Sequence, residues 1–378
     1  MTITNEENEA IIGRASINDI EAILSTPLVD PNEVEHVVKN NADSIFTWDY
    51  SLARPQLRKL YEKAKTGQWN ATTDLDWSID VDPEKVSKEL GGGGTERFRE
   101  LREAEGSPVR HFTEADWDRV GVELQNSLLS QFMHGEQGAL LCTARIVETV
   151  PWIDGKYYAA TQVMDEARHV EVFARYLNEK LGGQYRINDN LRQILDDILA
   201  DSRWDITYLG MQIMVEGLAL AAFGMMHAIT NEPLLKKLLR YVMSDEARHV
   251  AFGVLSLQEM YSNLSAAELR ERQEFAFDVA VRLQRRFGHA EMWEKMGVDS
   301  AAVHRTMEQV NPIAQQQFQN LLFSKIVPNC KKLGLLDASD GWLRERFTEI
   351  GVIQFEDFVD TTEEYDALDG VAADRAAG

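Results

Sequence analysis

The feature that most constrains this 378-residue chain is a six-residue segment that occurs twice. Asp-Glu-Ala-Arg-His-Val stands at residues 165–170 and again at 245–250. Each copy contains Glu-x-x-His, with the carboxylate and the imidazole three residues apart. Residues with this spacing share one face of an α-helix, so each copy directs two metal-ligating groups to one place.

Two further glutamates stand at matching distances before the repeats. Glu136 precedes Glu166 by 30 residues, and Glu216 precedes Glu246 by 30 residues. The midpoint of each interval falls at a predicted break between helices. Residues equidistant from the turn of an antiparallel helix hairpin lie at the same height, here roughly 20 Å from the turn at about 1.5 Å per residue. Two such hairpins would bring four carboxylates and two histidines to one level.

These six residues are predicted to hold two metal ions. A buried carboxylate without a partner is costly, and a bound cation removes that cost. Oxygen ligands with one imidazole per metal suit iron or manganese. Taken singly, each residue is equally well explained as a surface acid or a core histidine, and the duplicated arrangement favours the metal site. The predicted ligands are Glu136, Glu166, His169, Glu216, Glu246 and His249.

Four charged residues beside the ligands are predicted to support them. A metal-bound histidine usually donates its other N–H to a carboxylate. Asp165 and Asp245 precede two of the ligand glutamates, and each is expected to reach the histidine on the opposing helix. Arg168 and Arg248 are expected to pair with these aspartates. Ordinary surface charge is the alternative explanation for all four.

Helical periodicity dominates the chain, and no segment alternates convincingly as a strand. Long helices are predicted at 114–148, 155–182, 187–230 and 233–262, and further ones at 265–294, 300–333 and 340–350. Four long helices joined by short turns are typical of a helical bundle. We therefore expect an all-α fold, a four-helix bundle with N-terminal and C-terminal helical extensions. One Glu from each of two helices and Glu-x-x-His from each of the other two is the ligand pattern described for ferritin-like carboxylate proteins, so the expected bundle is ferritin-like.

Four regions are expected along the chain. They are an N-terminal extension of short helices and loops (1–110), the bundle (111–295), C-terminal helices (296–355) and a solvated acidic tail (356–378).

Composition excludes several classes of function. The net charge of −23 argues against binding to nucleic acid or to an anionic membrane. The two cysteines suggest no disulfide framework, and the polar N-terminus has no signal-peptide pattern, so we expect a cytoplasmic protein. The apolar stretch Ile206–Ile229 has Glu216 in its middle, which favours a buried core helix over a membrane span.

The Asp-Glu-x-Arg-His form resembles that of bacterial diiron monooxygenase hydroxylases and related stand-alone oxygenases. The resemblance, to the ferritin-like diiron-carboxylate oxygenases and oxidases, covers about residues 115–260. It implies a carboxylate-bridged pair of iron ions, held by the six residues above, whose reduced form reacts with dioxygen.

Three positions differ from particular relatives. Phe173 stands where small subunits of ribonucleotide reductase usually carry a radical tyrosine, although phenylalanine variants with a manganese–iron centre belong to that family. Val242 stands where aryl-amine N-oxygenases have an additional histidine ligand, which argues against a close match to them. Leu220 stands where multicomponent hydroxylases often have threonine.

The resulting hypothesis is a diiron oxygenase that hydroxylates, N-oxygenates or oxidatively cleaves a small organic substrate. No flavin or nicotinamide fingerprint is visible, so electrons are expected from a separate ferredoxin or reductase. The alternatives are a ribonucleotide reductase-like radical generator with a diiron or Mn/Fe centre, a ferritin-like iron-handling protein, and a metal-free binding module. A homodimer is left open, because bundles of this type often pair through helix faces.

Overall fold

The computed structural model describes residues 36–51, 54–90, 94–310 and 320–361. The chain divides into two compact units, Met1–Asn40 and Asn41–Gly378. Of the first unit only residues 36–40 are described, and they form neither helix nor strand. All helices named below belong to the second unit, so the boundary predicted at residue 110 lies inside one compact unit.

Within the described ranges the regular structure is helical. The α-helices are α1 (Pro55–Thr66), α2 (Pro83–Leu90), α3 (Gly94–Glu103), α4 (Glu114–Thr149), α5 (Ile153–Tyr176), α6 (Asp189–Ala200), α7 (Trp204–Tyr208), α8 (Glu216–Ile229), α9 (Pro233–Tyr261), α10 (Ala266–Arg285), α11 (Ala290–Lys295), α12 (Ser300–Val310), α13 (Ile326–Lys332) and α14 (Ala338–Glu349). Two π-helical segments follow α5 and join α7 to α8, at Leu177–Leu181 and Leu209–Val215.

The bundle consists of two helix hairpins, α4 with α5 and α7–α8 with α9. The connections fall at residues 150–152 and 230–232, at the midpoints predicted from the glutamate spacing. Local sequence fixes where these helices begin. Thr113 and Asp116 form a capping box at the start of α4. At the start of α9, the Glu232 carboxylate accepts the N–H groups of Leu234 and Leu235, and Pro233 occupies the first turn.

The helix predicted at 187–230 is interrupted at residues 201–203, and this part of the prediction is wrong. The Asp201 carboxylate accepts the backbone N–H of Arg203 at 2.8 Å and also binds its guanidinium group at 2.7 Å. Such a local side-chain bond offers the backbone an alternative to the helix. The apolar pattern continues on both sides of the break, so periodicity alone missed it.

Two more predicted helices are shorter than expected. The helix predicted at 265–294 ends at Arg285, and His289 has a left-handed conformation with φ of 51°. Of the helix predicted at 300–333, the described parts are α12, a 3₁₀ turn and α13, and residues 311–319 lie outside the described residues.

The extensions share cores with the rest of the second unit. Phe98 and Trp117 pack with Trp293 and Met307 in one hydrophobic cluster, with the ring centroids of Phe98 and Trp293 5.4 Å apart. Helix α1 packs against α5 and α9, on the outer side of the bundle. The N-terminal extension is thus placed where it can reach the interior of the bundle.

The first residues of the predicted acidic tail are docked, not solvated. Glu356 pairs with Arg344, and Asp360 lies 3.3 Å from the Lys332 ammonium. Thr361 is fully buried and its hydroxyl accepts a hydrogen bond from Asn329 at 3.0 Å. Lysines and arginines on α13 and α14 therefore neutralise the start of this segment, and residues 362–378 lie outside the described residues.

One helical stretch of the described chain, Trp204–Ile229, is long and apolar enough to cross a membrane by length and composition. Of its apolar window, 89% is buried inside the fold. The burial agrees with the prediction of a core helix.

Candidate metal centre

All six predicted ligands lie in the interior of the bundle, at one level. Helix α4 contributes one of them, α8 another, and α5 and α9 contribute a glutamate and a histidine each. None of the six is more than 4% exposed. They are Glu136, Glu166, His169, Glu216, Glu246 and His249.

One group of potential ligand atoms surrounds His169. Its Nδ1 lies 3.2 Å from Oε2 of Glu136, 3.4 Å from Oε2 of Glu166 and 3.1 Å from Oε1 of Glu246. The ligand atoms of these four residues lie within 4.8 Å of one another, close enough to bind one ion.

A second group surrounds His249. Its Nδ1 lies 3.1 Å from Oε1 of Glu166, 3.7 Å from Oε2 of Glu246 and 4.0 Å from Oε2 of Glu216. Glu166 turns one oxygen toward each histidine, and so does Glu246. Two ion positions that share these carboxylates are the arrangement expected of a bridged dimetal centre.

The electrostatics of this interior call for cations. Burial raises the pKa of Glu136 well above its usual value, and the neighbouring Glu246 raises it further. Burial likewise raises the pKa of Glu216, together with repulsion from Glu166. Burial would lower the pKa of His169, but the surrounding carboxylates, with Glu136 first, outweigh it and raise that pKa well above its usual value. The raised pKa values of the two glutamates thus reflect burial first and the negative charge of neighbouring carboxylates second, and that of His169 reflects the same carboxylates.

The hydrogen-bond pattern fits bound ions as well. Among the described residues, no hydrogen-bond partner meets Oε2 of Glu216 or either carboxylate oxygen of Glu246. Buried carboxylate oxygens rarely remain unsatisfied. Hard oxygen donors around two imidazole nitrogens suit iron or manganese, so the residues fit the predicted metals.

The aspartates lie where the sequence predicted them. Oδ2 of Asp245 is 3.1 Å from Nε2 of His169, and Oδ2 of Asp165 is 3.3 Å from Nε2 of His249. Each aspartate therefore contacts the histidine of the opposing helix and leaves Nδ1 facing the metal position. Arg168 donates to both aspartates, at 2.5 Å and 3.0 Å, and Arg248 pairs with Asp245.

Sequence reasoning missed three amide and indole groups that contact the site. Gln162, one helical turn before Glu166, donates to Glu166 at 2.9 Å and to Glu216 at 3.0 Å. Its i−4 spacing from Glu166 is a signal that could have identified it. Gln68 and Trp69 reach the aspartates from the segment after α1, and no spacing in the sequence relates them to the repeats.

A narrow crevice beside the centre has room for about one water molecule. Ala139 and Ala219 line it, so these two small residues leave space near the metal positions. Gly138 and Gly217 instead allow close packing, because a Cβ atom would lie 2.4 Å from Leu195 at Gly138 and 3.3 Å from Ile326 at Gly217. The remaining crevice residues are Phe132, Gly135, Glu136, Val215, Glu216, Glu246 and Arg286.

The comparison with protein families identifies the chain. The family profile described as p-aminobenzoate N-oxygenase AurF matches residues 53–334, which include both hairpins and all six candidate ligands. The chain belongs to this family. The expectation of a dioxygen-dependent diiron oxygenase with a ferritin-like helical fold is confirmed by membership of the AurF family.

The chain belongs to the AurF family although Val242 stands where aryl-amine N-oxygenases have an additional histidine ligand. Val242 is fully buried on α9, one turn before Glu246, and its apolar side chain supplies no ligand. The described site of this AurF-family chain therefore has one histidine at each metal position.

None of the curated proteins matches the chain. Similar solved structures include two variants of R2-like ligand-binding oxidase, both with an anaerobically reconstituted Mn/Fe cofactor. One is 18% identical, with a TM-score of 0.47, and the match covers 75% of this chain and 94% of that one. The other is 19% identical, with a TM-score of 0.46 and coverage of 76% and 93%.

Metal removal should make stability depend on pH. Groups whose pKa is raised by folding, such as Glu136, Glu216 and His169, bind more protons in the folded than in the unfolded state. Their contribution is present at low pH and is lost as pH rises through the folded pKa. We expect the melting temperature of metal-free protein to fall between pH 5.5 and pH 8, and added Fe(II) to restore it most at pH 8. Parallel pH profiles with and without metal would contradict this account.

Proposed function

We propose that the six residues are the ligands of a dimetal centre with which this chain oxidises the amino group of a small aromatic substrate. The proposal rests on one observation above all: four glutamates and two histidines meet in two groups that share Glu166. Iron is the metal we favour, and a mixed manganese–iron pair suits the same donor atoms. The bound metals would supply dioxygen activation.

The residues around the centre prepare it for this role. Glu166 and Glu246 each have one oxygen near His169 and the other near His249, so either carboxylate can bind two ions or shift toward one. Asp165 and Asp245 orient the imidazole rings so that Nδ1 points inward. Apolar packing keeps bulk water from the carboxylates, which strengthens every electrostatic interaction among them.

The two alternatives, a ribonucleotide reductase-like radical generator and an iron-storage protein, have less support. Phe173 occupies the position of the radical tyrosine and packs on Phe223, with ring centroids 5.5 Å apart, so a tyrosyl-radical generator would need another residue and only the manganese–iron form of this alternative fits. Iron storage requires many irons per chain, whereas the two described groups suit one ion each. Metal counting separates these functions directly.

Metal content tests the ligand assignment. In protein purified from iron-supplemented cells we expect about two metals per chain, and far fewer in a Glu166→Ala, Glu246→Ala double variant, because both shared carboxylates are lost. Glu123→Gln is the matched control, since Glu123 is a buried glutamate that binds Tyr185 and Lys295 outside the site. A parent chain without metal, or a double variant that retains it, would refute the assignment.

The substrate is proposed to carry an acidic group as well as the amine. Arg286 is 5% exposed and lines the crevice beside the carboxylates. Burial lowers the pKa of this guanidinium to about 10, which leaves it charged at neutral pH. A guanidinium is suited to bidentate binding of a carboxylate. The compound in the family's name, p-aminobenzoate, has an amine and a carboxylate at opposite ends. Because the crevice is narrow, an aromatic ring would enter only after side chains such as Phe132 move.

The role of Arg286 is tested with p-aminobenzoate and its neutral counterpart p-aminobenzamide. The parent should prefer the acid in kcat/KM, and Arg286→Gln should lower kcat/KM for the acid by at least about 30-fold, since removing one partner of a buried charge pair costs about 2–5 kcal/mol. The amide should be affected much less. Arg285→Gln, at the exposed neighbouring position, is the control. Equal losses on both compounds would show that Arg286 does not recognise the acid.

The remaining parts of the proposal concern partners and location. We propose an external ferredoxin or reductase as the electron donor and a cytoplasmic location, from the sequence features given above. A homodimer is compatible with the bundle. Light scattering of the purified chain would test the homodimer, reduction with a ferredoxin–reductase pair would test the electron donor, and fractionation of the source cells would test the location.

A further inference from the structure

The segment Gly67–Gln68–Trp69, immediately after α1, covers the outer side of the two aspartates. A Cβ atom at Gly67 would lie 3.5 Å from the Arg248 guanidinium, so the backbone passes close to that arginine. The next two side chains turn inward, each toward a different aspartate. This segment belongs to neither copy of the duplicated motif.

Trp69 contacts Asp245, the aspartate behind His169. Its indole N–H donates to Oδ2 of Asp245 at 2.8 Å, and the same oxygen lies 3.1 Å from Nε2 of His169. The indole is 4% exposed, with the Arg168 guanidinium 4.5 Å from its centroid and the Tyr241 ring at 5.2 Å. The direction of this N–H is therefore fixed by packing.

Gln68 contacts Asp165, the aspartate behind His249. Its amide nitrogen donates to Oδ1 of Asp165 at 2.8 Å and to the carbonyl oxygen of Ala64 at 2.9 Å, and its amide oxygen accepts from Arg168 at 2.8 Å. The other oxygen of Asp165 lies 3.3 Å from Nε2 of His249. One amide thus holds an aspartate, an arginine and the end of α1 together.

We propose that Gln68 and Trp69 are positioning residues that orient the two histidines separately and make the two metal positions unequal in affinity. This inference rests on the proposed dimetal centre. Two identical motifs facing each other would alone create near-equivalent positions. Here Asp245 accepts from an indole N–H and from both Arg168 and Arg248, whereas Asp165 accepts from a neutral amide and Arg168.

The expected size of the effect follows from the indirect contact. Loss of a hydrogen bond behind a metal-binding histidine typically lowers metal affinity by about 10- to 100-fold. Trp69→Phe removes the N–H and keeps an aromatic ring in place. Gln68→Met removes the amide and nearly keeps the side-chain length. Each substitution should therefore weaken one metal position far more than the other, the smaller effect passing through Arg168, which donates to both aspartates.

The test is an anaerobic titration of the full chain with Fe(II), in which calorimetry measures the heat of each binding event. Reference variants His169→Ala and His249→Ala identify which binding event belongs to which histidine. Trp69→Phe should lower the Fe(II) affinity of the binding event that His169→Ala abolishes by about tenfold or more. Gln68→Met should lower the affinity of the event that His249→Ala abolishes by a similar factor. Trp77→Phe is the matched control, because its indole N–H donates to the Ala71 carbonyl oxygen, away from the aspartates.

The outcomes separate this inference from the proposed function. Two binding events that respond equally to both substitutions, or to neither, would overturn the positioning roles while leaving the dimetal centre intact. A parent chain that binds no Fe(II) would overturn the dimetal centre and this inference together. Circular dichroism and melting of the metal-free variants identify any general loss of folding, and a variant that melts far below the parent is replaced by Gln68→Leu or Trp69→Tyr.

Discussion

Mutual repulsion among four buried glutamates is the constraint on which the rest of this structure depends. Glu136, Glu166, Glu216 and Glu246 lie on four helical segments, and each turns a carboxylate to one level of the bundle interior. Water cannot stabilise these charges there, and two histidines alone do not satisfy all their oxygens. Cations bound between the carboxylates would neutralise this charge and hold the two hairpins together, so that metal binding and bundle packing would stabilise each other.

The same constraint explains the elements that surround the bundle. The two aspartates that orient the histidines need positive charge of their own, and Arg168 and Arg248 supply it from three residues later in each copy of the repeat. Gln68 and Trp69, in the segment after α1 and outside the repeat, then cover the outer side of the two aspartates with one amide and one indole. The N-terminal extension thereby contributes contacts to the centre itself, in addition to covering the bundle.

Much of this site could be predicted because it depends on helical periodicity. The i,i+3 spacing of Glu166 with His169, and the equal intervals to Glu136, require only a regular helix and a tight turn. Long-range contacts could not be predicted in this way. Trp69 approaches Asp245 across 176 positions, and Arg286 reaches the crevice from beyond the end of α10. The break at residues 201–203 was missed because one Asp–Arg interaction ends the helix without any change in apolar pattern. Membership of the N-oxygenase family, despite Val242, shows that one position alone was too weak a criterion.

The most direct test of the dimetal centre is anomalous diffraction from crystals of the iron-loaded protein, measured at the iron absorption edge. The account predicts two peaks per chain between the paired helices, one beside Nδ1 of His169 and one beside Nδ1 of His249, with Glu166 bound to both. A single peak, peaks away from these histidines, or density for water alone between the carboxylates would contradict it.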